Sequence, residues 1–209
     1  PALAHLHRRL LGDGAAALSS AAQSVFLDEY TPAGSLVQSI AFPNTGAAKL
    51  SMSGSATSEG SLNYYNGYFA VAGYNADPLT ASIAGTLVAD VPRVAGTVDV
   101  GGNVQIHEIG GSYSGANPRS AITDGTTIWT AGQGGSGLQA TAGIRATPFG
   151  GGASVQLSSV VTNTRVVRIW NGQLYLVTGS GNYNGLNIVG TGLPTAPETT
   201  VELLPGFPD

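Results

Sequence analysis

No cysteine occurs in the 209 residues, which excludes disulfides and thiolate metal sites alike. Lysine is nearly as scarce: Lys49 stands alone beside seven scattered arginines. Only 10% of the residues are charged, against about 25% in a typical soluble domain, and the net charge is −4. Nucleic-acid binding draws on clustered cations that release counterions, and their lack argues against nucleic acid as a partner. No apolar run approaches the roughly 18 residues of a membrane span. Asn-x-Ser/Thr is also missing, so N-glycosylation is not expected. The chain opens on Pro1 and its single methionine is Met52, as expected of a processed product, a fragment or one part of a longer chain. PALAHLHRRLL is no signal peptide, because His5, His7, Arg8 and Arg9 break its short apolar stretch. The expectation is a signal removed ahead of Pro1 and an extracellular product.

What is present is glycine (31 residues), with abundant Ser, Thr, Asn and Ala and few helix-favouring residues. Short β-branched and aromatic runs separated by glycine turns predict an all-β protein, and 42% hydrophobic content argues against disorder. The runs repeat. NGYFAVAG (Asn66–Gly73), DGTTIWTAG (Asp124–Gly132) and NGQLYLVTG (Asn171–Gly179) each launch an apolar run that ends in glycine. Asn-Gly and Asp-Gly suit the positive φ angles of a type I′ turn, so each copy predicts a tight hairpin. Around the three turns the hairpins read SLNYY/YFAVAG, SAIT/TTIWTAG and TRVVRIW/QLYLVTG. Two more strand-like runs follow each: RVAGTVDV and NVQIHEI, GLQATAGI and ASVQLSS, GLNIVGTG and TTVELLPG.

Four strands per unit, three times over, point to β-propeller blades. A β-sandwich built of hairpins is the competing architecture. The predicted organisation is an extended segment over 1–12, then a partial propeller over 13–209. Its blades cover about 57–109, 118–159 and 163–205, with a half blade over 24–43. That half blade, SVFLDEYTPAGSLVQSIAF, supplies two strands around a Pro-Ala-Gly turn and reads as the outer pair of a blade whose inner strands come from elsewhere. Three and a half blades cannot close a ring. The predicted partners are therefore further blades, from a second chain or from the rest of a longer polypeptide.

The runs VFLDEYTPAGSLVQSI, SGSATSEGSL, TNTRVV and LLPGFP resemble a family of predicted secreted bacterial proteins that is read as propeller-like. The resemblance covers most of the chain from about Leu11, and the leading PALAHLHRR departs from it. It implies a sequence that continues past LPGFP. It brings no established activity and no catalytic residues.

On a propeller map, the residues just before each first strand lie near the channel mouth. These are Glu59, Arg119 and Arg165. They read either as a polar ring that orients an acidic or sugar-like ligand or as structural salt bridges between blades. The second-to-third loops add Tyr74, Asn75 and Asp77, and Asn182, Tyr183 and Asn184, groups suited to a neutral glycan but equally to plain solvated loop. GQGGSG (Gly132–Gly137) fits G-x-G-x-x-G, but the strand-like LQATAGI follows where a dinucleotide site needs a helix. NYNGLN (Asn182–Asn187) lacks the carboxylates calcium prefers. His5 and His7 read as part of a frayed terminus. Asp28-Glu29 read as a solvated sheet edge. His107 and Glu108 point to opposite faces of one strand. Phe69, Trp129 and Tyr175, in equivalent second strands, read as packing between blades. No nucleophile elbow or zinc-protease motif is present, and no cofactor or metal is expected. The functional expectation is a non-enzymatic extracellular binding or scaffold protein of adhesion or matrix type, with glycan as a candidate ligand. The competing class is a carbohydrate-active hydrolase or lyase, with Glu59 and Asp77 as its acids and part of its site in other sequence.

Overall fold

Alternation in LHRRLL sends His7, Arg9 and Leu11 to one side of a strand, and the structure pairs this strand at once. The structure is a computed structural model that describes residues 5–14, 17–179 and 181–206. Strand β1 (Leu6–Leu11) lies antiparallel to β2 (Ala22–Tyr30), from Leu6 opposite Tyr30 to Leu11 opposite Val25. The other edge of β2 is shared by β3 (Leu36–Ala41) and β4 (Ser51–Ser53). Two expectations change here. Residues 6–11 are a paired strand, not a frayed end, and Asp28-Glu29 sit in the middle of a sheet, not at its edge. Asp28 is buried, and its carboxylate accepts bonds from the Ser39 hydroxyl (2.6 Å) and the Tyr30 hydroxyl (3.3 Å). The half blade also finds a partner within the chain, because β1 takes the edge expected to await outside strands. Residues 1–4 of the extended segment and the last residues of LLPGFP lie outside the described residues.

Three antiparallel meanders follow, each of four strands in sequence order. The first is β5 (Asn63–Tyr65), β6 (Tyr68–Tyr74), β7 (Arg93–Asp99) and β8 (Val104–Gly110). The second begins β9 (Pro118–Thr123), β10 (Thr127–Gly132), β11 (Gly143–Pro148). Its chain then leaves to run as β12 (Gly152–Ala153), parallel to β8 of the first meander, and returns as β13 (Val155–Gln156) on β11. The third is β14 (Thr164–Trp170), β15 (Gln173–Thr178), β16 (Gly185–Val189) and β17 (Val201–Leu203). Two of the hairpin turns have both central residues at positive φ: Asn66 (46°) with Gly67 (87°), and Asn171 (49°) with Gly172 (73°). The Asp124-Gly125 copy differs. Asp124 keeps a negative φ, its carboxylate accepts from the Thr126 and Thr127 amides, and the loop is longer. Each second-to-third loop carries one 3-10 turn, at Ile83–Gly85, Gln139–Thr141 and Gly181–Tyr183.

The sheets stack, and side-chain alternation assigns each face to a different core. In β6, Phe69 and Val71 join Val25, Leu27, Leu50 and Met52 under the N-terminal strands. Ala70 and Ala72, between them, face Ala121 and Ile128 of the second meander. On that meander's far side Ile122, Trp129, Ile144 and Leu157 pack on Val167, Leu174 and Leu176 of the third. Trp129 is buried between sheets and donates its indole N–H to the Pro194 carbonyl at 2.7 Å. The molecule is therefore all-β, in several antiparallel sheets, and no closed barrel or ring forms among the described residues.

Candidate functional site

The leading segments of the three meanders converge. Ser61 bridges Ser120 in parallel, with the Ser61 amide donating to the Arg119 carbonyl at 3.0 Å. The Ser120 hydroxyl accepts from the Val167 amide at 3.2 Å, and Thr164 Oγ1 exchanges bonds with the backbone of Gly132. Of the three residues singled out on the propeller map, Glu59 precedes β5, whereas Arg119 lies within β9 and Arg165 within β14.

Glu59 is buried. Its carboxylate accepts from the Tyr74 hydroxyl and from Asn117 Nδ2, both at 2.5 Å on Oε1, and from the Ser53 amide at 3.0 Å on Oε2. Burial pushes its pKa up, while the three bonds and the nearby Arg93 pull the other way. Burial and the adjacent Glu59 charge together raise the Tyr74 hydroxyl well above its ordinary range. Arg93 stacks its guanidinium 4.8 Å over the Tyr74 ring and donates to the carbonyls of Val91 and Thr86. Arg119, also buried, donates to Asn163 Oδ1 (2.6 Å), the Thr164 carbonyl (2.8 Å) and Gln133 Oε1 (2.7 Å). Burial first, and the Arg165 guanidinium second, lower its pKa to about 10.

These contacts form a repeating clasp. Asn117, two residues ahead of Arg119, donates to Glu59 of the preceding meander. Asn163, two residues ahead of Arg165, accepts from Arg119 of the preceding meander. Of the proposed ring, Glu59 and Arg119 are thus buried in joints between sheets, and Arg165 is half-buried beside Gly179. Three of the roughly four acceptor sites of the Glu59 carboxylate are thus taken by the protein's own donors.

The loop residues separate. Tyr74 is not a loop group: it closes β6, is fully buried, and spends its hydroxyl on Glu59. Asn75 staples the 47–49 segment, accepting from the Lys49 amide (3.1 Å) and donating to the Ala47 carbonyl (3.0 Å). Asp77 is exposed and paired with Lys49 Nζ at 2.9 Å. Asn182 and Asn184 are exposed around the third 3-10 turn. Tyr183 is half-buried, packs on the core of the second and third meanders, and lines a cleft of about 290 Å³ with Ser158, Thr199, Glu198 and Glu202. A second groove, of about 170 Å³, is lined by His7, Glu29, Tyr64, Phe69 and Asp99. His5 Nδ1 contacts the Glu29 carboxylate there.

Arg93 and Gln133 complete the clasp and were not legible as site residues. Arg93 opens an apolar strand run, where one cation gives no signal of what it reaches. Among the described residues no cluster of His, Asp and Glu is arranged to hold a metal, and no helix is long and apolar enough to cross a membrane. No protein-family model, no curated protein and no solved structure matches this chain.

Proposed function

We propose that this chain is an arc of a β-propeller and serves as a non-enzymatic extracellular binding or scaffold module, completed by further sheets. One observation carries the reading: the charged groups that converge at the heads of the meanders join one sheet to the next. Glu59, Arg119, Asn117 and Asn163 bond each other across successive units. A parallel bridge from Ser61, just ahead of β5, to Ser120 of β9, with sheets stacked in chain order, supports a radial arrangement. Resemblance to predicted secreted proteins supports the location. The surface that best suits a glycan is the cleft lined by Tyr183, by Ser and Thr residues, and by Glu198 and Glu202.

The test compares wild type with Glu59→Gln, Asp77→Asn and Tyr183→Ala on glycan arrays and in polysaccharide turnover assays. The reading expects no turnover by any variant, and any glycan signal to vanish with Tyr183→Ala alone. Turnover abolished by exchange of either acid would replace it with the hydrolase or lyase reading.

A further inference from the structure

The meanders differ in how many faces they bury. Strands β6, β7, β9, β10 and β11 are buried along almost their whole length, because neighbours cover both sides of their sheets. The third sheet alternates instead. Val167, Ile169, Leu174, Leu176 and Val189 are buried against the second meander. The opposite face shows Arg168, Trp170, Tyr175, Leu186 and Leu204 around an apolar hollow of about 440 Å³. Trp170 is 70% exposed, in a chain whose other tryptophan is 1% exposed.

The clasp stops at the same place. Glu59 and Arg119 each bond the asparagine that heads the next meander. Arg165 holds the equivalent position in the third, lies close enough to lower the Arg119 pKa, and makes no hydrogen bond to a described residue. The open apolar face and a guanidinium with no hydrogen bond to a described residue thus belong to the same strand, β14, of the last sheet.

We propose that this face docks a further four-stranded meander of the same repeat, whose leading asparagine accepts from Arg165 as Asn163 accepts from Arg119. The inference rests on the radial reading above and names the surface and chemistry of its next joint. A second copy of the chain does not fit the site. Its Asn117 and Asn163 are already engaged within the chain. The two sheet-to-sheet joints in the chain have the required form: an apolar layer with polar bonds at the strand heads.

The test extends the full chain after Asp209 with a second copy of residues 160–206, carrying Trp170→Phe in the copy only. Docking is expected to shift the emission of the original Trp170 to the blue and to reduce its acrylamide quenching to that of buried Trp129. Asn163→Ala in the copy alone should partly restore quenching, and Arg165→Ala in the original unit should match it without an additive effect. An extension that hydrogen exchange shows folded while Trp170 stays open to quencher overturns the proposal. So does an extension that stays unfolded, since the face then fails to template its own repeat. So does an unextended chain that dimerises and shields Trp170, which assigns the face to a second copy. None of these outcomes moves the turnover assays, so failed docking without turnover removes this inference and leaves the non-enzymatic reading standing.

Discussion

At the scale of single residues, Glu59 and His107 show how neighbours decide what an ionisable group can do. Glu59→Gln keeps the shape but turns one acceptor into an amide N–H facing donors, with the Ser53 amide, Tyr74 hydroxyl and Asn117 amide all aimed at it. A mispaired buried group costs roughly 1–3 kcal/mol. At about 2–4 °C per kcal/mol for a chain of this size, calorimetry should find Tm lowered by roughly 2–12 °C. His107 is buried between Thr97 Oγ1 (2.8 Å, on Nε2) and the Gly150 amide, which donates to Nδ1 at 3.1 Å. The ring is therefore neutral, with its proton on Nε2, and burial lowers its pKa from the ordinary 6.5. The unfolded chain takes up that proton first, so the contribution of His107 is complete above 6.5 and erodes as pH falls towards the folded value. Denaturant midpoints should drop as pH falls below about 6.5, and His107→Gln should flatten that slope. Glu59, with its pKa raised by burial, works in the opposite sense: its effect on stability is unfavourable above its folded pKa and disappears as pH falls through that value to below 4.5. The repeat made the equivalence of Glu59, Arg119 and Arg165 legible. The burial of Glu59 and Arg119 was not, because it depends on how closely neighbouring sheets approach.

At the scale of elements, turn chemistry was legible wherever two residues do the whole work. Asn66-Gly67 and Asn171-Gly172 adopt the left-handed pair that a two-residue hairpin asks for. Asp-Gly at 124–125 looked the same, but Asp124 caps its own loop with its carboxylate, a competing use open to Asp. The 3-10 turns and the strap β12 were not legible, since neither shows a periodic pattern. The strap matters. Gly150, Gly151 and Gly152 run at φ of 103°, 95° and 130°, and a Cβ on Gly151 would sit 2.9 Å from the Glu108 amide nitrogen. Gly151→Ala should therefore lift the strap off β8 at a cost of about 1–3 kcal/mol. Amide exchange should accelerate at Ser154, whose N–H bonds the Gly110 carbonyl, and at Gly150 over His107, while β14–β17 stays protected. Uniform loss of protection would show instead that the strap holds the whole stack.

At the scale of the molecule, stability is shared between neighbouring sheets, as in other repeat architectures. Removing the third meander by ending the chain at Thr162 bares Ile122, Trp129, Ile144 and Leu157. At roughly 1.5–3 kcal/mol for each large apolar side chain, that loss rivals the 5–15 kcal/mol by which whole domains are stable. The shortened chain should bind a hydrophobic dye and lose its cooperative melt, whereas removing only residues after Leu204 should leave the melt nearly unchanged. The sequence by itself determined the Asn-Gly hairpins and most strands of the three meanders, but not the third strand of the second, where the strand-like GLQATAGI holds a 3-10 turn at Gln139–Thr141 and the strand runs Gly143–Pro148. Turn residues and two-residue alternation act between near neighbours along the chain, and local chemistry suffices for them. Only the tertiary structure decided which face of each sheet meets which core, that β1 completes the N-terminal sheet, and that the charged heads of the meanders clasp one another. Those outcomes depend on the distance between sheets, and that distance is set by side chains far apart in sequence, such as Ala70 and Ala121.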